Sequence, residues 1–176
     1  ELGFELRTTQ SVLNIVYFNR KEKPTLIFNI TPTDSKPYGG YDNSDRQIIY
    51  RGLEFAYDFE LFEKAKTRLN YIFTETNYGD LRSIPKHSIS GLIDIPIKVK
   101  THLSLIGQFT GNRIANDFTE LDPYSLFTLQ INYQLEKLNT NLFFSIFNLF
   151  DTHYIIIPQY QTRGRNIMLG LTVNLF

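Results

Sequence analysis

"GLEFAYDFEL", residues 52–61, alternates without a break. Leu53, Phe55, Tyr57, Phe59 and Leu61 fall on one side of an extended chain, and Gly52, Glu54, Ala56, Asp58 and Glu60 on the other. A period of two marks a strand with one apolar and one wet face. "LFTLQINYQLE", residues 126–136, repeats it, with Phe127, Leu129, Ile131, Tyr133 and Leu135 opposing Thr128, Gln130, Asn132, Gln134 and Glu136. So does the last stretch, where Ile167, Leu169, Leu171, Val173 and Leu175 oppose Met168, Gly170, Thr172 and Asn174. Shorter versions run through "LGFEL", "RLNYIF", "HSISGLIDIPI" and "THLSLIGQF", and no segment carries a helical period. The chain reads as all-β, with about nine strands at roughly 2–9, 11–20, 47–60, 65–77, 87–97, 100–113, 124–135, 139–151 and 163–176.

The links between these strands take turns in length. Those near "TQ", "FEKA", "VKT" and "EKLN" are short, while "RKEKPTLIFNITPTDSKPYGGYDNSD", "YGDLRSIPK", "NRIANDFTELDP" and "THYIIIPQYQT" are long and rich in Gly, Pro, Asn and Asp. A soluble sandwich has no reason to keep every tight turn at one end. An antiparallel up-and-down transmembrane barrel does, with short periplasmic turns and long external loops. Ten or eleven residues at about 3.3 Å each, tilted by roughly 40°, also span the apolar band of about 25 Å in such barrels. Alternation then gains a direction, because only a closed sheet satisfies the backbone in hydrocarbon. The apolar side faces lipid, and Glu5, Arg7, Glu54, Asp58, Glu60, Arg68, Glu75, Gln130, Asn132 and Gln134 are expected in the lumen. A lipocalin-like soluble barrel or sandwich is the competing reading, since half-buried antiparallel strands alternate in the same way.

Composition is consistent with this and removes other classes. Lys plus Arg equals Asp plus Glu at 18 each, so nothing draws the chain to a polyphosphate, and no nucleic-acid partner is expected. Cysteine is absent, which excludes disulfides, thiol nucleophiles and thiolate metal sites. No apolar run is long enough for a membrane-spanning helix, and "ELGFELRTTQ" does not read as a signal peptide. With 15 Phe and 11 Tyr against no Trp, the aromatic content favours strands.

The segment "NLFFSIFNLFDTHYIIIPQYQTRGRNIMLGLTVNLF" resembles the end of TonB-dependent outer-membrane receptors. These carry an N-L-F-D-x-x-Y motif at the end of the penultimate strand, then a Pro and a Gly-Arg before a last strand ending in an aromatic residue. Here those are Asn148, Leu149, Phe150, Asp151 and Tyr154, then Pro158, Gly164 and Arg165, then Phe176. "ELGFELR", "RGLEFAYDF" and "IPKHSISGLIDI" look like strand openings of the same barrels, so the resemblance covers nearly the whole chain. The resemblance implies a barrel of about 22 strands with a plug in its lumen. It implies uptake of a scarce ligand, such as a ferric siderophore, haem or cobalamin, energised through an inner-membrane TonB complex that pulls on the plug. On that footing residues 1–176 form the C-terminal portion of the barrel, with the plug and earlier strands absent from this chain. Its partners would be that plug and the rest of the barrel, outer-membrane lipid and lipopolysaccharide, and a small-molecule ligand. Phe176 would be the signal read during barrel assembly. It departs from the usual pattern, sharing a face with Gly170, Thr172 and Asn174 rather than with the apolar residues, a shift that a bulge would correct.

A search for chemistry yields little. His87, His102 and His153 lie apart, Asp151 beside His153 is a single pair, and no G-x-S-x-G, S-x-x-K or glycine-rich phosphate loop occurs. "YGGY", residues 38–41, reads as a loop tip. Neither an enzyme nor a bound cofactor or metal is expected. Ligand contact, if this chain shares in it, falls to Tyr38, Tyr41, Asn43 and Arg46 in the longest loop and to Tyr160 and Arg163 in the last, which join aromatic area to hydrogen-bonding groups. Asn148 and Asp151 would begin the exit from hydrocarbon, with Tyr154 at the membrane interface. The alternative is a plug-free outer-membrane barrel acting as a passive pore, an adhesin or a small enzyme.

Overall fold

Nine strands hydrogen-bond side by side into one antiparallel sheet in the computed structural model, which describes residues 1–23, 25–29, 40–44, 47–62, 64–77, 84–115 and 119–173, with the backbone alone for 25–29 and 41–44. They are β1 (Leu2–Arg7), β2 (Ser11–Glu22), β5 (Ile48–Leu61), β6 (Ala65–Thr76), β7 (His87–Lys98), β8 (Thr101–Thr110), β11 (Tyr124–Leu135), β12 (Thr140–Phe147) and β13 (Asn166–Val173), adjacent in that order. Between them, β3 (Thr25–Asn29) pairs with β4 (Gly40–Ser44), and β9 (Arg113–Ile114) with β10 (Glu120–Leu121). These two hairpins sit inside long links that the periodicity reads as loops.

Registers keep the apolar residues on one side of all nine strands. Leu6 faces Leu13, which faces Tyr57, then Leu69, Gly91, Gly107 and Phe127 in turn. A second row runs Ile93, Leu105, Leu129, Ile146, Ile167. Since a slip of one residue would turn a whole strand over, this continuity is what specifies the pairing. The opposite face carries a polar row, Lys66, Asp94, Ser104, Gln130, Ser145 and Met168. Glu5 with Arg7, and Asp58 with Arg68, pair on that face as expected of lumen charges. Glu75 differs. It shares the face of Phe73, at the long-loop rim, and meets Arg51 across the strand pair at 3.9 Å.

The sheet has no conventional core. Among the described residues only Ala65, Ala115 and Leu121 are fully buried apolar ones, while Leu53, Leu69, Ile89 and Ile131 are each more than a third exposed. A soluble sandwich would bury these side chains against a second layer. Here one face is apolar and open along the middle of every strand, with Arg51 and Glu75 at its long-loop rim, as in a barrel wall that meets hydrocarbon. No helix among the described residues is long and apolar enough to cross a membrane.

Turn chemistry explains the short ends. The Thr8 hydroxyl accepts hydrogen bonds from the backbone N–H of Gln10 and Ser11, closing the β1–β2 turn. After β11 a single 3₁₀ turn (Glu136–Leu138) stops at Asn139, whose φ of 46° lies in the left-handed region that Asn tolerates. β12 ends at Phe147, four residues before the expected limit, and the last strand begins at Asn166 rather than 163. Residues 174–176, including Phe176, lie outside the described residues, as do Tyr38 and Arg46. Tyr41 and Asn43 stand in β4, where their backbones pair with Phe28 and Leu26.

Candidate functional site at the lumen mouth

The motif after β12 is a clasp. Asn148 takes φ 49° and Asp151 φ 55°, both left-handed, so the chain reverses within four residues. Asn148, only 6% exposed, holds the turn with its side chain. Its Nδ2 donates to the Thr152 carbonyl and its Oδ1 accepts from the Thr152 N–H, each at 2.9 Å. The Asp151 N–H donates to the Asn148 carbonyl, and the Leu149 N–H reaches back to the Phe127 carbonyl of β11. Across the loop, the Arg165 N–H donates to Asp151 Oδ1 at 2.6 Å. A Cβ on Gly164 would stand 2.8 Å from that same oxygen, which is why glycine precedes Arg165. Ile157–Tyr160 closes on a Tyr160 N–H to Ile157 carbonyl bond, with Pro158 second and Gln159 at φ 67°, the pattern of a type II turn. Asn148, Asp151, Gly164 and Arg165 thus act on backbone geometry, bringing the start of β13 back to the end of β12, and Pro158 shapes a turn between them.

The aromatic residues of the motif divide between the two faces. The Phe150 ring meets the Phe127 ring edge-on, centroids 5.3 Å apart, on the apolar side. Tyr154 was expected at the membrane interface, but its ring packs on Tyr124 at 4.8 Å on the polar side. Thr162 donates to the Tyr154 carbonyl and fixes its position. Arg113, 7% exposed, lies over the Tyr124 ring at 5.0 Å and donates to the Ile155 carbonyl. β9 and the last loop are thereby tied together.

Beneath this clasp the polar face hollows into a cavity of about 430 Å³ at the long-loop end, lined by Gln108 of β8, Thr128 of β11, Asn166 of β13, and Asn148, Tyr154 and Arg163 of the last loop, with Ile106, Leu126, Phe147 and Met168 as apolar floor. Its volume lies in the range of small-molecule sites, roughly 300–1,000 Å³. The lining offers a guanidinium, amides and hydroxyls and no carboxylate. Such a set suits an anionic or carbonyl-rich guest.

Of the two expected ligand contacts whose side chains are described, Arg163 and Tyr160, the first lines this cavity. Tyr160 is 72% exposed on the outer turn and does not. Gln108, Thr128 and Asn166 belong to the cavity but escape sequence reading, because each is one more polar residue on an alternating strand. The three histidines stay apart: His87 bonds the Tyr71 hydroxyl, His102 bonds Asp94, and His153 belongs to the last loop. Among the described residues no three of His, Asp and Glu gather as a metal site would require.

Comparison with known proteins follows the same lines. Residues 1–149 match the family model described as TonB dependent receptor-like, beta-barrel. No curated protein matches the chain. Among solved structures, the siderophore receptor PirA from Acinetobacter baumannii aligns with a TM-score of 0.75 at 12% identity, covering 96% of this chain and 30% of that one. The copper transporter OprC gives 0.75 at 13% identity, with 96% and 30% coverage. The pyoverdine outer membrane receptor FpvA from Pseudomonas aeruginosa, bound to pyoverdine, gives 0.71 at 16% identity, with 98% and 28% coverage. The chain spans less than a third of the length of each of these proteins. At such identities the likeness speaks for the fold.

Proposed function

The chain belongs to the TonB-dependent receptor-like β-barrel family, and from that premise we propose that residues 1–176 are the C-terminal portion of an outer-membrane active transporter, with a plug and the earlier barrel strands supplied outside them. The observation that carries this reading is one face of apolar side chains continued from strand to strand across all nine, with charges only toward its long-loop rim, backed by a polar face with a cavity at its long-loop end. β1 and β13 each leave one edge unpaired within the sheet. In hydrocarbon an open edge strands its N–H and C=O groups, so both edges need the rest of a barrel. The ligand belongs to the scarce-nutrient class, a ferric siderophore, haem or cobalamin, with energy delivered through a TonB complex to the plug. This is transport rather than catalysis.

Arg163 is the ligand contact this chain contributes, beside Tyr154 and Gln108. Growth of a deletion strain on single iron or vitamin sources identifies the ligand, and unimpaired growth on all of them would remove the uptake reading. With the ligand in hand, Arg163→Ala in the full-length receptor is expected to weaken binding by about tenfold or more, as removal of a charged hydrogen-bond donor does. Unchanged affinity would show that the cavity is filled by the receptor's own segments instead.

A further inference from the structure

Gly91 of β7 and Gly107 of β8 face each other across the strand pair, on the apolar side of the sheet. Two missing side chains at one level leave a groove of about 290 Å³ in a surface otherwise covered by large residues, walled by Leu69 and Phe127 and running from Ile93 up to Ile89. The Phe127 ring leans over Gly107, 3.1 Å from where a Cβ would sit, and narrows that side. Over Gly91 the nearest atom is Leu69 Cδ1 at 3.6 Å, so that side is open. Five residues up the chain from Gly91, at about 3.3 Å each, exposed Lys86 holds its ammonium 5.6 Å from the Phe73 ring centroid on this same face.

We propose that this groove seats one acyl chain of an anionic, phosphate-bearing lipid from the leaflet on the long-loop side, with the headgroup at Lys86. The proposal rests on the lipid-facing reading of the apolar side given above. The groove is continuous with that lipid-facing surface. Water and unpaired backbone are excluded at this depth, so its occupant is hydrocarbon. Transfer from bulk lipid into an apolar groove gains nothing from the hydrophobic effect. Retention of one lipid over its neighbours therefore comes from fitted contacts along the glycine pair and from the cation at the rim.

The test is lipid retention by the full-length receptor, purified in detergent doped with either phosphatidylglycerol or phosphatidylcholine and weighed by native mass spectrometry. The wild type is expected to keep one phosphatidylglycerol more than Gly91→Leu, whose side chain fills the open side of the groove. Lys86→Gln is expected to lower the preference for phosphatidylglycerol over phosphatidylcholine by about fivefold, the effect of one cation near an anionic surface. Ile89→Trp, which blocks the upper end, repeats the measurement should Gly91→Leu fail to fold. Equal retention by wild type and a folded groove-filling variant would overturn the proposal, as would retention without headgroup preference. A receptor that stays soluble without detergent would instead overturn the lipid-facing reading itself.

Discussion

Asp151 is the residue on which the clasp turns, since one carboxylate oxygen both accepts the Arg165 N–H and fills the space a side chain at 164 would need. Asp151→Ala is expected to lower the stability of the folded receptor by ~1 kcal/mol, a charged hydrogen bond discounted for its exposed setting. Gly164→Ala should cost a similar amount, because its Cβ displaces the same oxygen. The two losses share one contact and will not add. In the double variant the Gly164→Ala penalty is expected to vanish, giving a coupling of about 1 kcal/mol in thermal unfolding of the detergent-solubilised protein. Additive losses would show that the carboxylate does not link these positions. The motif itself is legible in the sequence, but its work is not. Nothing in the letters N-L-F-D tells that Asn148 and Asp151 occupy left-handed backbone or that Tyr154 turns toward the lumen, since both follow from where the chain must go next.

At the scale of strands, the periodicity locates all nine elements of the main sheet, because lipid on one side and a polar interior on the other impose a strict period of two. It misses β3, β4, β9 and β10, which lie in the long links and pair outside the nine-stranded sheet. Glycines show how tightly adjacent strands are joined. The three atoms nearest a Cβ on Gly170 all belong to the Phe143 ring, the first at 2.3 Å, whereas a Cβ on Gly52 would meet the Phe73 carbonyl before the Phe18 ring. Gly170→Ala is therefore expected to destabilise and to be rescued by Phe143→Leu, while Gly52→Ala should not be rescued by Phe18→Leu, because backbone cannot step aside. Matching rescue at both sites would refute the distinction. At the short-turn end, Lys100 Nζ meets Glu136 Oε2 at 2.8 Å and links two neighbouring turns. The hydrogen bond to Glu136, then its charge, raises the Lys100 pKa. A raised folded-state value means that this contribution is complete below the unfolded lysine pKa, about 10.4, and fades as pH rises through the folded one. The stability gap between wild type and Lys100→Met should stay level from about pH 6 to about pH 9 and close only in stronger alkali.

For the molecule as a whole, fold class was readable from two patterns, alternation within strands and alternation of loop length, because a membrane constrains both. The cavity at the lumen mouth was not, since it gathers Gln108 of β8, Thr128 of β11 and Asn148 and Arg163 of the last loop, which only the register and the clasp bring together. The orientation of the wall has a direct test in paired arginine substitutions at one depth. Leu105 and Ser104 are neighbours on β8 that point to opposite faces, Leu105 in the row with Ile93 and Leu129, Ser104 in the row with Asp94 and Gln130. Arginine on the lipid face near mid-depth costs roughly 2–4 kcal/mol, whereas on the lumen face it is tolerated. Leu105→Arg is therefore expected to destabilise the receptor in lipid vesicles by that amount. Gln130→Arg, on the same level of the other face and in Asp94's row, is the better lumen control than the buried Ser104, and should change stability by less than about 1 kcal/mol. Denaturant titration of the vesicle-folded receptor reads both. If Gln130→Arg proved the costlier of the two, the wall would be inside out, and the apolar face would have to be packed against protein rather than lipid.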